Sequence, residues 1–224
     1  MQEYLAAGGQ IDCDAPDLVF HVCNGVIVAF PADLVGEALA IRGHSSSVDH
    51  VIDIGSCLGV TAILAAPQIG VGNVLCIESD ERLHKVIERN FQLNELKPPR
   101  LLDCVISHRS GKTNAFKTSG APWSNHLSDL NHVPGPSRDV LSIQDLPYGS
   151  GATLMVIDIE GADLRAFEAG VPKGVTKIIL ETHPARYDRR GFAKIFTELS
   201  NAGFEYISEG SRGELVCFER FSPS

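Results

Sequence analysis

Beyond residue 48, short apolar runs alternate with segments whose apolar residues recur every three or four positions. The short runs predict strands: HVIDI (50–54), NVLCIE (73–78), RLLDCVI (100–106), TLMVIDIEG (153–161) and KIILETH (177–183). Between the first two, LGVTAILAAPQ (58–68) opens a helix that Pro67 should limit. SDERLHKVIERNFQLN (79–94) is amphipathic, with a stripe of Leu83, Val86, Ile87 and Phe91 and with Ser79 or Asp80 placed to cap it. Asn90 and Asn94 fall on or beside that stripe, and are expected to bond neighbouring turns and close the helix end. A short helix is expected over 163–169. A longer one spans GFAKIFTELSNAGF (191–204), with Phe192, Ile195, Phe196 and Leu199 facing inward and Gly203 ending it. Tyr206-Ile207 and LVCFE (215–219) form a closing hairpin.

Strands alternating with helices, the strands apolar on both faces, predict an α/β fold. It is a Rossmann-like sandwich with a mostly parallel sheet and a C-terminal antiparallel hairpin. The chain divides into a lead-in (1–48) and one main domain (49–224). The lead-in holds a strand at 26–30, a short helix over 33–41 capped by Asp33, and a loop at 43–47. Residues 107–150 are rich in Gly, Pro, Ser and Asn, and predict a long loop with one short strand near 114–117. A loop of that length inside a compact domain is usually functional.

Composition narrows the partners. The formal charge is −9, and the densest basic group, Arg186, Arg189 and Arg190, includes Asp188. Duplex binding needs clustered Lys and Arg, so nucleic acid and anionic membrane are expected not to be partners. Residues 54–77 carry no charge, but Gly55, Gly59, Pro67, Gly70, Gly72 and Asn73 break them into turns, so a buried core is read rather than a membrane span. The six cysteines contain no C-x-x-C, and the first fourteen residues have no signal-like pattern. A reduced cytoplasmic protein is expected. The oligomeric state is not set by any of these features.

In parallel sheets, ligands sit at the carboxyl ends of the strands. Four strands end there at acids: Asp53, Glu78, Asp158 and Glu181. The turn after Asp53 reads Gly55-Ser-Cys-Leu-Gly59. It lacks the Lys of a phosphate loop, and Cys57 stands where a dinucleotide turn has its second glycine. Glu78, 19 residues past Gly59, is placed to bond ribose hydroxyls. A nucleoside without pyrophosphate is wanted, and S-adenosylmethionine fits. Asp53 would hold its ammonium, with Gly55, Ser56, Gly59 and Ser79 lining the turn around it.

Four segments in order carry a family resemblance: VIDIGSCLG, CIESDERLHKVIERNFQLN, MVIDIEGADLRAFEAG with its D-x-E-G-x-[ED] pattern, and IILETH with E-x-H. Over roughly residues 33–220 the chain resembles the FkbM-type methyltransferases, a branch of the class I S-adenosylmethionine-dependent enzymes. Two positions depart from that pattern. Ser56-Cys57 stand where the family usually has Ala-Asn, and Val156 stands where it often has Lys. The resemblance implies O-methylation of a hydroxyl on a sugar, polyketide or other small natural product.

Asp158, Glu160, Glu181 and His183 are then expected around the acceptor. His183 is the candidate base because imidazole titrates near neutrality. A divalent metal on Asp158, Glu181 and His183 is the less favoured arrangement, and the resemblance does not require one. Trp123, Asn125 and His126, with His132, offer an acceptor surface inside 107–150. Two other readings stay open: a nicotinamide oxidoreductase, and a non-catalytic protein that binds the nucleoside.

Overall fold

The computed structural model describes residues 19–23, 26–30, 40–41, 43–113, 116–117, 126–127, 137–184 and 186–221. Two strands, β1 (Val19–Cys23) and β2 (Val26–Phe30), pair as an antiparallel hairpin. The second was expected and the first was not. Of the helix expected over 33–41, only Ala40 and Ile41 are described, and helical backbone continues over 43–45, where a loop was predicted. Ala40, Ile41 and Val48 pack into the main core, which explains why the helix persists.

The centre is a seven-stranded sheet in the order β13-β14-β12-β11-β3-β4-β5. Its members are β3 (His50–Ile54), β4 (Val74–Ile77), β5 (Arg100–Leu102), β11 (Thr153–Ile157), β12 (Val175–Glu181), β13 (Phe204–Arg212) and β14 (Leu215–Arg220). The pairs joining β12, β11, β3, β4 and β5 are parallel; β14 lies antiparallel to both β12 and β13. The predicted sheet class and closing hairpin are therefore what forms. Residues two apart on a strand face opposite layers from their neighbours, and the core shows it. Val51, Val74, Cys76, Val156 and Ile179 join one apolar cluster; Ile52, Ile54, Leu75, Ile77, Met155, Ile157, Ile178 and Leu180 join the other.

The faces are covered by α1 (Val60–Ile69), α2 (Glu81–Leu93), α3 (Asp163–Ala166) and α4 (Arg189–Asn201). Pro67 lies inside α1 and does not stop it. It sits in the last turn on the exposed side, so the helix forfeits one backbone bond and runs on to Gly70, whose N–H reaches Ala66 O. Asp80 caps α2 by accepting from Arg82 N, as its sequence position suggested. Asn90 is buried and donates to Leu58 O at 2.9 Å, and Asn94 donates back to Asn90 O at 2.8 Å.

The expected strand 100–106 is two strands. β5 ends at Leu102 on the sheet edge, and the chain turns away at Asp103. β6 (Val105–Ser107) then joins β7 (Gly111–Thr113) and β10 (Arg138–Ser142) in a separate sheet of order β6-β10-β7. The driving difference is burial on two sides: Cys104 and Ile106 fill the main core, while Val105 pairs with Val140. A further pair, β8 (Phe116–Lys117) and β9 (His126–Leu127), lies within the same segment, so 107–150 holds more strand than its composition predicted.

Because Asn90 ties α2 to the turn before α1, Asn90→Ala should lower unfolding free energy by about 1–3 kcal/mol. Urea denaturation monitored by circular dichroism measures it; an unchanged midpoint would mean the buried amide contributes nothing.

Candidate functional site

The strand order reverses between β3 and β11, which opens a crevice at their carboxyl ends. Asp53 is the fourth residue of β3, and Asp158 follows the last residue of β11. The two loops interlock here. Asp158 N donates to Ile54 O at 2.9 Å, and Gly55, at φ +84°, lies so close to Asp158 O that any Cβ would overlap it.

The turn itself is wired to β4. Gly55 N and Ser56 N both reach Ile77 O, at 2.9 and 3.1 Å. Ser56 Oγ donates to Asp53 O at 2.8 Å and accepts from Ile77 N at 3.1 Å, so this buried hydroxyl is part of the wall. Cys57 holds a left-handed backbone, φ +46°, a conformation that asparagine adopts more readily than most residues. Gly59 is the N-cap of α1.

Glu78 is buried, and both its oxygens are engaged: Oε2 accepts from Cys57 N at 2.8 Å and Oε1 from Asp80 N at 2.7 Å. His84 Nε2 lies 2.8 Å from the Glu78 carbonyl oxygen, and Ser79 is half-buried beside it. Each carboxylate oxygen has a second lone pair left for a ligand hydroxyl. Burial lifts Glu78 to about 7 against the pull of those two N–H groups. Burial also lifts Asp53 to about 7, with Asp158 and Glu78 adding repulsion, and Asp53 Oδ2 is a buried oxygen without a hydrogen-bond partner. Such an oxygen is what an ammonium group would satisfy.

The second half of the site follows β11 and β12. Glu160 takes a left-handed backbone, φ +52°, and Gly161 lets Arg186 pack on it, where a Cβ would come within 2.6 Å of Arg186 Cβ. His183 Nε2 lies 3.3 Å from Asp158 Oδ1 and 3.9 Å from Glu160 Oε2, and Arg186 reaches Glu160 at 3.4 Å. The 3.3 Å contact is off the N–H axis, so Asp158 Oδ1 is left without a hydrogen-bond partner. Three of the four expected acceptor residues are therefore side by side. Glu181 is at the end of β12, where burial and Asp158 raise it to about 7.

Electrostatics weigh against one expectation. Burial opposes charge on His183, but Asp158, Glu160 and Asp163 outweigh it and push the imidazole up to about 9. These neighbours favour the protonated ring over the neutral one that a base requires. The metal arrangement also changes, since donor atoms within 4.8 Å of one another come from Asp158, Glu160 and His183, without Glu181. Trp123 and Asn125 lie outside the described residues, as does His132; His126 is described by its backbone in β9 alone. Sequence reading missed Tyr187, whose hydroxyl donates to Asp163 Oδ2 at 2.9 Å and accepts from His183 N at 2.8 Å. Asp163 stands in the D-x-E-G-x-[ED] segment, which was the available signal; nothing local marks Tyr187. Among the described residues, no helix is long and apolar enough to cross a membrane, and Cys57, Cys76, Cys104 and Cys217 are free.

No family model matches the chain, and no curated protein matches it. Solved structures do. A provisionally named transferase from Pyrococcus horikoshii aligns at 13% identity and TM-score 0.51, over 92% of this chain and 72% of that one. A provisionally named S-adenosylmethionine-dependent methyltransferase from Streptococcus mutans aligns at 13% and TM-score 0.50, over 93% of this chain and 56% of that one. The chain has the Rossmann-like fold of the class I methyltransferases. A tRNA m1G37 methyltransferase from M. jannaschii is also similar in fold, at 13% identity and TM-score 0.47, over 91% of this chain and 55% of that one. The exclusion of nucleic acid does not stand. It rested on net charge and on the spacing of Lys and Arg along the sequence, and neither describes a face assembled by the fold.

The raised carboxyls make a pH prediction. Asp53, Glu78 and Glu181 hold protons in the folded state that the unfolded chain releases near pH 4, and His183 likewise near 6.5. Their stabilisation is complete in acid and is lost as pH rises through about 7, and for His183 about 9. The ligand-free protein should therefore unfold at higher urea at pH 5.5 than at pH 8, and Asp53→Asn should flatten that slope. A midpoint that rises with pH would contradict the burial of these groups.

Proposed function

We propose that this chain is an S-adenosylmethionine-dependent methyltransferase acting on a hydroxyl of a small molecule, with motifs that resemble those of the FkbM-type enzymes. The observation that carries the reading is Glu78. Its carboxylate is held by two backbone N–H groups at the end of the strand beside the switch point, with free lone pairs for a ribose diol. The unpartnered Asp53 oxygen fits the methionine ammonium. The four ordered motifs support the same family.

The donor supplies a sulfonium methyl group, and the rest falls to the chain. Glu78 orients the nucleoside, and Asp53 fixes the amino-acid end. Asp158 turns its buried Oδ1 to His183 and, through its other carboxylate oxygen, accepts the hydrogen bond of the acceptor hydroxyl and takes its proton as the new C–O bond forms and the methyl–sulfur bond breaks. His183 holds Oδ1 in place, and Glu160 and Glu181 bind further hydroxyls. Holding oxygen, methyl and sulfur in line is worth about 7–11 kcal/mol, more than the hundred- to ten-thousand-fold from a general base. The imidazolium and Arg186 balance Asp158 and Glu160 without a metal ion, so chelation should leave turnover unchanged.

Titration calorimetry with S-adenosylhomocysteine should give micromolar binding, weakened roughly 10- to 100-fold in Glu78→Ala, a loss in line with a charged hydrogen bond. Preference for NAD would favour an oxidoreductase instead. Methyl transfer is then screened over hydroxylated sugars and polyketides beside tRNA; methylation of tRNA alone would refute the acceptor assignment. At saturating substrate, kcat should be level between pH 7 and 8.5. A tenfold rise per pH unit towards 9 would mean that neutral His183 is the base.

A further inference from the structure

We propose that Tyr187, anchored by Asp163, is a positioning residue for His183 and joins the two halves of the acceptor site. The inference rests on the methyltransferase reading for its catalytic consequence, and on geometry for the rest. Asp163 opens α3, directly after the Asp158–Gly161 segment, and is fully buried. Tyr187 belongs to the other loop, four residues past His183 and just ahead of the Asp188 cap of α4. Its hydroxyl bonds both: it donates to Asp163 Oδ2 at 2.9 Å and accepts the His183 backbone N–H at 2.8 Å.

Three further contacts make the arrangement stiff. Arg186 N donates to His183 O at 2.8 Å, closing the turn between His183 and Tyr187. Thr182 N and Oγ1 both bond Glu214 O, at 2.8 and 2.7 Å, fixing the residue before His183. Gly191 leaves room for the tyrosine stem, since a Cβ there would approach Tyr187 Cβ to 2.9 Å. With its backbone held on each side, His183 presents Nε2 to Asp158 and Glu160. Desolvating a carboxylate as deeply as Asp163 costs stability, and burial duly pushes its carboxyl up. A phenol that spends this cost on one backbone amide beside a site residue is a device for orientation.

The test compares Tyr187→Phe with Tyr148→Phe. Tyr148 also donates a single hydrogen bond from a partly buried hydroxyl, to Ile143 O at 2.7 Å, and serves as the structural control. Two signals are read by NMR on the whole chain: exchange of the His183 amide proton, and the imidazole Cε1–H resonance, assigned with His183→Ala. In Tyr187→Phe the amide should exchange at least tenfold faster and the resonance should shift or broaden. Tyr148→Phe should leave both signals as they are. Asp163→Asn keeps an amide oxygen for the phenol, and should preserve the slow exchange even if Tyr187→Phe folds poorly. With an acceptor in hand, Tyr187→Phe should lower kcat at least tenfold while both KM values and S-adenosylhomocysteine affinity stay within about twofold. Unchanged amide exchange and imidazole signal in Tyr187→Phe, or equal changes in Tyr148→Phe, would overturn the proposal. Both NMR readings need neither donor nor acceptor, so they separate a failed anchor from a failed methyltransferase reading.

Discussion

The carboxylate of Glu78 does for this sheet what a metal does in other folds: it gathers distant backbone into one place. One oxygen takes the N–H of Cys57, in the turn after β3, and the other takes the N–H of Asp80, at the start of α2. Charge-assisted bonds of this kind are roughly twice as strong as neutral ones. They pin a left-handed residue and a helix cap that would otherwise drift independently. The crevice wall is braced by that acid, which ties the turn after β3 to the start of α2.

Much of this was legible in the sequence, and for local reasons. Strand positions followed from apolar runs, and the acids at their ends followed from counting residues. Asp80 and Gly203 mark helix ends because capping is decided within a few residues. What was not legible depends on partners far along the chain. The run 100–106 divides because Val105 finds β10, some 35 residues on, a fact no window over the run contains. His183 was read as near-neutral because its three carboxylate neighbours come from the other loop and from α3. Tyr187 had no motif at all.

The two halves of the site differ in how they handle charge. Around Asp53 and Glu78, burial lifts the carboxyls to about 7, against the two N–H groups that hold Glu78, so the wall is responsive to whatever cation or hydroxyl arrives. Around Asp158 and Glu160, side-chain cations supply the balance, and the geometry is set before any ligand is present. Preorganisation of that kind is where electrostatic catalysis draws its advantage, because no reorientation is needed as charge moves.

The near-contact between Gly55 and the Asp158 carbonyl has a consequence for how such a chain can change. Between the turn that would meet the donor and the loop that would meet the acceptor there is no room for one more carbon atom. A larger residue in the first, or a shifted peptide in the second, moves both. Substitutions at the rim, in the accessory sheet or beyond Glu160, leave that contact untouched, and substitutions at the seam do not. The molecule is modular at its edges and indivisible at its centre.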